Sequence, residues 1–512
     1  MMNEKWEEQF REQIHGFVET IEKFDKGEID RKAYKGISGG FGSYAQRDPS
    51  KHMLRLRMAG GNLTEKRLEF LAEAVKDYGV ELMKLTTCET VQLHNLKAEQ
   101  VPVLMEKAIA SEIYSRGGGG DNPRNIMMSP LSGVQKGEAF DVKPYAEAAA
   151  EYLLSIAGEI HMPRKLKVAF CNGADDTVHS AFRDMGFMAN LDGTFTLRIA
   201  GGLGGGYKMG VLVDEHVPAT EILYYIRAMI ETFCQHGNYE NRAKARTRFM
   251  QETLGVDGLK AAFLENVAKM KEKGGLDLHV TAKPVTKKGS GEIVDKRVVA
   301  QKQTGLYAVA YHPIGGCLPA GKPAELLTLV REIPDAECRI APHETIYIIN
   351  LTADEAEKVL EATNDGAQST FENSVACIGA AICQQGVRDS QAALRAAVEA
   401  VREAKIPDGA LPRICISGCP SSCSGHQVAA LGFQGAAKTV DGKPESAFKM
   451  FVGGSDKLGA AKFGEAGAVI LERDLPKFFV DLGKAVASRN MNWETWIAEH
   501  KDEFKTIVEK YA

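Results

Sequence analysis

Four cysteines carry the first chemical signal in this chain. Cys377 and Cys383 are spaced Cys-x5-Cys, and Cys419 and Cys423 follow as Cys-x3-Cys. They stand in "SVACIGAAICQQGVRDS" and "ISGCPSSCSGHQVAALGF", beside glycines and a proline that let the backbone turn sharply. Four thiolates gathered from two nearby loops are the ligand set that an iron–sulfur cube requires. Zinc sites built from cysteine pairs usually space each pair by two to four residues, so the x5 arm favours iron–sulfur over zinc. The other six cysteines (Cys88, Cys171, Cys234, Cys317, Cys338 and Cys415) show no ligand spacing. They read as small core residues, with Cys88 set apart below.

A second set of residues is basic. Arg55 and Arg57 lie two apart in a strand-like run, as do Lys165 and Lys167 in "RKLKVAF", so each pair shares one strand face. Arg124 follows a four-glycine run and Pro123, in a loop whose backbone can approach a ligand closely. Arg164 adjoins the lysine pair. Solvated strand faces would also explain such pairs, but two of them, each followed by apolar residues, favour a basic cavity. Arginine forks there would pair the carboxylates of a bound polyanion. The glycine runs at 201–210 and 116–121 do not spell G-x-G-x-x-G, and the first leads into a strand rather than a helix. They imply close backbone approach to a large cofactor rather than a nucleotide site.

The elements that must hold these residues show an internal repeat. The stretch from "HMLRLRMAGG" to "LMEKA" and the stretch from "LYAVAYHPIGG" to "VLEAT" each read as strand, glycine turn, helix, alternating strand and second helix. The likeness is literal at "LTTCETVQLHNL" and "IAPHETIYIINL", where Glu89-Thr90 matches Glu344-Thr345 at a spacing of 255 (344 minus 89). Duplication and a pseudo-twofold α+β molecule follow. At 512 residues the chain exceeds a single core. Its net charge of −5 gives no general reason to expect nucleic acid as a partner. The N-terminal "MMNEKWEEQFREQIHGF" reads as a charged helix rather than a secretory signal, and no apolar run suits a membrane span, so a cytoplasmic protein is expected.

With the repeat and the thiol spacing in hand, the chain resembles the siroheme- and [4Fe–4S]-containing nitrite/sulfite reductases of the ferredoxin-dependent type. The resemblance runs from about residue 36 to 485, through "YAQRDPSKHMLRLRMAGG", "GGGGDNPRN", "MPRKLKVAF", "NRAKARTRF", the four cysteines and "GFQGAAK". It implies an N-terminal lead-in at 1–45 and a first ferredoxin-like half-domain at 46–112. A first siroheme-binding α/β domain would follow at 113–290, a second ferredoxin-like half-domain at 298–365, and a [4Fe–4S]/siroheme domain at 366–512. It further implies that Cys377, Cys383, Cys419 and Cys423 hold the cluster, with Cys423 also the axial thiolate of the siroheme iron. Arg55, Arg57, Arg124 and Arg164 would bind siroheme, while Arg124, Lys165 and Lys167 would act on the substrate anion.

The implied reaction is a six-electron reduction, of sulfite to sulfide or of nitrite to ammonia. Electrons would come from a ferredoxin or a separate flavoprotein, since no flavin or NADPH module is evident. Lys167, where nitrite-specialised members often carry Asn, leans the expectation towards sulfite. One departure stands out: relatives commonly read "LTTRQ" where this chain has Thr86-Thr87-Cys88-Glu89. Loss of that substrate-facing arginine would mean weaker sulfite binding, a different substrate, a thiol acting as ligand or proton donor, or a small buried filler. Two other readings share the fold: a non-catalytic iron–sulfur carrier or sensor, and the siroheme-free oxygenase of cobalamin synthesis.

Overall fold

The computed structural model describes the backbone of residues 2–512 and the side chains of 6–512. Its strands form four five-stranded sheets, arranged as two pairs with matching order. In the first pair, strands Ser43–Ala45, His52–Leu56, Val91–Leu96 and Leu82–Leu85 form one sheet. Strands Val298–Ala300, Tyr307–Tyr311, Ile346–Leu351 and Glu337–Ile340 form its counterpart. The two are interleaved: Cys317–Leu318 pairs with Leu82–Leu85, and Asn62–Leu63 pairs with Glu337–Ile340, all antiparallel. Each half thus completes the other half's sheet, and both share one apolar core that includes Leu54, Leu93, Val309 and Ile348.

Each such module differs from the expected pattern in one respect. The alternating run between its two helices is not one strand but an antiparallel hairpin. The cause is local: Thr86 Oγ1 accepts the N–H groups of Cys88 and Thr90, both at 3.3 Å, and Glu89 adopts a left-handed φ of 56°. Glu344 repeats that conformation, with φ 66°. Cys88 therefore sits on a tight turn, free of the strand ladder.

The other two sheets also match. Met127–Met128, Val168–Cys171 and Met185–Ala189 run parallel, then Thr194–Ile199 and Val211–Pro218 continue antiparallel. Val375–Ala376, Ile414–Ser417 and Leu431–Val440 run parallel, then Lys443–Val452 and Glu465–Leu471 continue antiparallel. Each of these sheets has its own core, packed by helices Ile222–His236 and Gly255–Lys273 in one case and Leu475–Ser488 in the other. Chain without regular structure, 274–297, links the halves, and Lys287 ties it to Glu355 at 2.7 Å. The N-terminal segment is helical at Met2–Asp25 and Arg31–Ser38. Among the described residues no helix is long and apolar enough to cross a membrane.

Candidate active site

The thiols sit where parallel strands end. Cys377 follows Val375–Ala376, and Cys419 and Cys423 follow Ile414–Ser417, its parallel neighbour, so both loops leave the sheet on the same side. Ligand sites favour that edge of an α/β sheet. The Gly418 N–H and the Ser390 hydroxyl lie 3.2 and 3.1 Å from Cys377 Sγ. Arg47 straps the Cys383 loop, its guanidinium donating to the carbonyls of Cys383 at 3.3 Å and Gly386 at 2.5 Å. Thr87 Oγ1, from the hairpin turn of the first half, donates to the Cys423 carbonyl at 2.9 Å. Cys423 itself is exposed, an uncommon state for an apolar-leaning thiol.

All four thiols line one cavity of about 430 Å³. Arg55, Arg57, Arg124, Arg164, Lys165 and Lys167 line it too, as does Cys88. These residues from both halves, up to 368 positions apart in sequence (423 minus 55), thus meet in one space. Arg164 is partly occupied by Asp121 at 3.2 Å. The other five cations have no carboxylate partner among the described residues. Arg55 and Arg124 each donate to the Gly118 carbonyl at 2.7 Å, and Arg57 to the carbonyls of Arg116 at 2.7 Å and Arg124 at 3.1 Å. Nε of Arg57 and Nε of Arg124 are buried without any hydrogen-bond partner. Burial, reinforced by neighbouring arginines, brings Arg57 down to about 9, and burial brings Arg124 down to about 10. Cations held together against their own repulsion point to an anion that compensates them.

The lysines differ from one another. Burial, with Arg246 and Arg124 close by, holds Lys165 well below the ordinary lysine range. Burial and Arg183 also lower Lys167, but Cys88 opposes them. The effect is mutual: burial raises the Cys88 thiol, yet Lys167 and then Arg183 outweigh it and bring Cys88 down to about 6. Lys167 and Arg183 thus favour the charged form of Cys88. In cofactor-free protein, alkylation of Cys88 by iodoacetamide should follow a midpoint near pH 6, faster above and slower below. Lys167→Ala should move that midpoint upward, because the charged form loses its main support; an unshifted midpoint would separate the two side chains.

Several cavity residues carried no sequence signal as site residues. Tyr44 is one: burial would raise its phenol, but Arg124 and Arg55 hold it below the ordinary range, and its oxygen accepts the Gly120 N–H at 2.6 Å. Gly119 lies so close that a Cβ there would run into that oxygen. Lys84, Asn125 and Glu344 also line the space. Arg246, within the motif "NRAKARTRF", holds Asp184 through bonds of 3.0 and 2.9 Å. The glycine run at 201–210 behaves otherwise than expected. It does not line the cavity; Gly204 packs on the Pro420–Ser421 backbone and exchanges hydrogen bonds with Gln427 at 2.7 and 3.2 Å. Its close approach in this structure is to the cysteine loop.

Two family models match this chain: the nitrite/sulfite reductase ferredoxin-like half domain over residues 44–111, and the nitrite and sulphite reductase 4Fe-4S domain over residues 119–271. The chain belongs to the nitrite/sulfite reductase family. It is an oxidoreductase, and its cofactors are a [4Fe–4S] cluster and siroheme. It is 27% identical over 433 residues to the chloroplastic ferredoxin–nitrite reductase of Arabidopsis thaliana, covering 79% of this chain and 71% of that one. Against the ferredoxin–nitrite reductase of Synechococcus elongatus it is 27% identical over 445 residues, with 84% and 85% covered. The structure of the Mycobacterium tuberculosis NirA protein matches with a TM-score of 0.77 at 23% identity, over 94% of this chain and 92% of that one, which shows the shared fold.

The residues present suit those cofactors. No three His, Cys, Asp or Glu side chains among the described residues converge as they would around one ion. A cube distributes its thiolates over four separate irons, so four thiols standing apart around one cavity suit it better than they suit zinc. The uncompensated cations suit siroheme, a macrocycle bearing eight carboxylates.

Proposed function

We propose that this protein reduces nitrite to ammonia, taking electrons from a ferredoxin. Sulfite, the substrate expected from Lys167, is corrected by the relatives, which are ferredoxin–nitrite reductases from plants, cyanobacteria and the archaeon Haloferax mediterranei. The physical reason for the misreading lies in Cys88. Cys88 and Lys167 each favour the other's charged form, so part of the lysine's charge is engaged before a second anion arrives. A pocket that loses one arginine and gains one thiolate loses two positive charges. That change penalises sulfite, which approaches a double negative charge near neutral pH, more than singly charged nitrite.

In this reading Cys377, Cys383, Cys419 and Cys423 hold the cluster, Cys423 also ligates siroheme, and Arg55, Arg57, Arg124 and Arg164 bind siroheme carboxylates. Bound there, the cofactors would relay the six electrons delivered by ferredoxin and provide the redox-active iron. The protein's own share is electrostatic and protonic. Arg124 attracts the anion, and Lys165 Nζ, whose depressed affinity makes it a ready acid, gives its proton to a departing oxygen. The single observation that carries the assignment is the convergence on one cavity of four thiols from one half and, from the other, five cations without a carboxylate partner among the described residues.

Spectral titration of the oxidised holoprotein with nitrite and with sulfite tests the preference. Nitrite should bind the tighter of the two, and Cys88→Arg should tighten sulfite on the order of tenfold or more, the scale of a charge-assisted hydrogen bond. Sulfite binding that exceeds nitrite in the wild type and ignores Cys88→Arg would overturn the preference.

A further inference from the structure

The turn between strands Glu337–Ile340 and Ile346–Leu351 stands between two cavities. His343 lines a second cavity of about 680 Å³, which reaches the exposed Lys457 and Glu494. The next residue, Glu344, lines the cysteine cavity. Nothing in the chemistry described so far uses Glu344. Its side chain is 3% exposed and bound on one side only. Oε1 pairs with Nζ of Lys84, from the other half of the molecule, while Oε2 is buried without a partner of ordinary hydrogen-bond geometry, although the Ala376 N–H faces the carboxyl. Lys84 is equally buried, lines the same cavity, and donates to the Leu85 carbonyl at 2.6 Å. Gly316 leaves room for the pair, since a Cβ there would lie 2.6 Å from Lys84 Nζ and run into Oε2.

The internal repeat provides a control. Glu89 is the first half's copy of Glu344, and Arg339 is the second half's copy of Lys84. Those copies do not pair: Arg339 binds Glu337 at 2.9 Å and the Ser132 carbonyl at 2.6 Å, while Glu89 accepts the Met128 N–H at 3.0 Å. Glu89 does not line the cysteine cavity. Of the two repeat copies, only the one at the cavity wall thus carries a carboxyl–ammonium pair. Burying such a pair commonly costs as much desolvation as its attraction returns, so its presence there suits a functional role better than a stabilising one. The proposed reaction supplies that role. Each nitrite consumes eight protons on its way to ammonium, and Lys165 and Lys167 hold one apiece.

Resting on the nitrite reading, we propose that Glu344, paired with Lys84, is the proton-transfer residue that recharges the active cavity. The O–H of its acid form breaks as the proton passes into the cavity, and the carboxylate regains a proton from the side of the solvent-reaching second cavity. Titratable neighbours of the pair are His94 from the first half and His312, Cys317 and Cys415 from the second. Burial lowers both histidines to about 3 and raises both thiols, so all four are uncharged near neutral pH. Lys84 is the charge among them that faces the carboxyl. Burial lifts Glu344 to about 7 against the lowering effects of Lys84 and the Ala376 N–H, so it can both hold and release a proton near neutrality.

Glu344→Gln and Glu344→Asp in the holoenzyme test this. Glu344→Gln should load both cofactors, bind nitrite unchanged in spectral titration and accept electrons from reduced viologen at the wild-type rate. Its kcat should fall at least tenfold with a raised solvent deuterium isotope effect, and the infrared carboxyl band titrating near pH 7 should vanish. Glu344→Asp should recover most of the rate. Wild-type kcat and isotope effect in Glu344→Gln would overturn the relay, as would cofactor loss in both variants, which marks a structural pair. Absence of ammonium from the wild-type enzyme would instead defeat the nitrite reading on which the relay rests.

Discussion

Cys423→Ser is expected to abolish turnover while leaving the fold intact. The thiol is exposed at the cavity, on a loop fixed by the Thr87 hydrogen bond to the Cys423 carbonyl, so removing its sulfur disturbs no packed core. A serine hydroxyl is a hard, protonated donor and a poor replacement for a thiolate on iron. If Cys423 serves both cofactors, its loss removes one cluster ligand and the link between cluster and siroheme together. Groups acting as one unit lose nearly the whole effect when one is removed, so kcat should fall on the order of a thousandfold or more. Iron and acid-labile sulfide content and the siroheme absorption band are the readouts beside activity. Cys234→Ser, at a half-buried thiol outside the cavity, is the control and should match the wild type. Equal iron, sulfide and kcat in Cys423→Ser and the control would remove Cys423 from the site.

Lys165→Met should have the second-largest effect. Methionine keeps much of the length and apolar stem of lysine but carries no proton. Loss of a positioned general acid lowers kcat by roughly a hundred- to ten-thousandfold. Lys165 is the stronger choice over Lys167, because Lys167 is engaged with Cys88 whereas Lys165 faces only cations and the cysteine loop. The wild-type pH profile carries the same signature. The acid form of Lys165 is the one required, and its affinity for the proton is depressed, so kcat should decline as pH rises through that depressed value. In Lys165→Met that decline should disappear along with most of the rate. A variant retaining both full rate and wild-type pH profile would assign the proton to another group.

The features legible in the sequence were those whose signal is local. The thiol pairs, the basic residues two apart on strands and the 255-residue repeat can each be read within a short window. Their meeting in one cavity could not be read that way, because it depends on two halves exchanging strands of two residues, Asn62–Leu63 and Cys317–Leu318. Strands that short carry no periodicity. The hairpin turn at Cys88 was hidden for a related reason: Thr86–Thr90 contains no glycine or proline to mark a break between the flanking strands, and hydroxyl-to-backbone bonds make the turn instead. Glu344 was visible as half of the clearest repeat match, yet its role depends on Lys84, which belongs to the other half. Lys167 misled because spacing shows that a lysine is present but not which group its charge faces.

Product and electron stoichiometry test the central claim most directly. The anaerobic holoprotein, supplied with reduced ferredoxin and limiting nitrite, should oxidise six ferredoxins for each nitrite consumed and release one ammonium. With sulfite as sole acceptor, sulfide should form with a much lower kcat/KM. Sulfide production that outpaces ammonium, or complete cofactor loading with turnover of neither anion, would contradict the assignment.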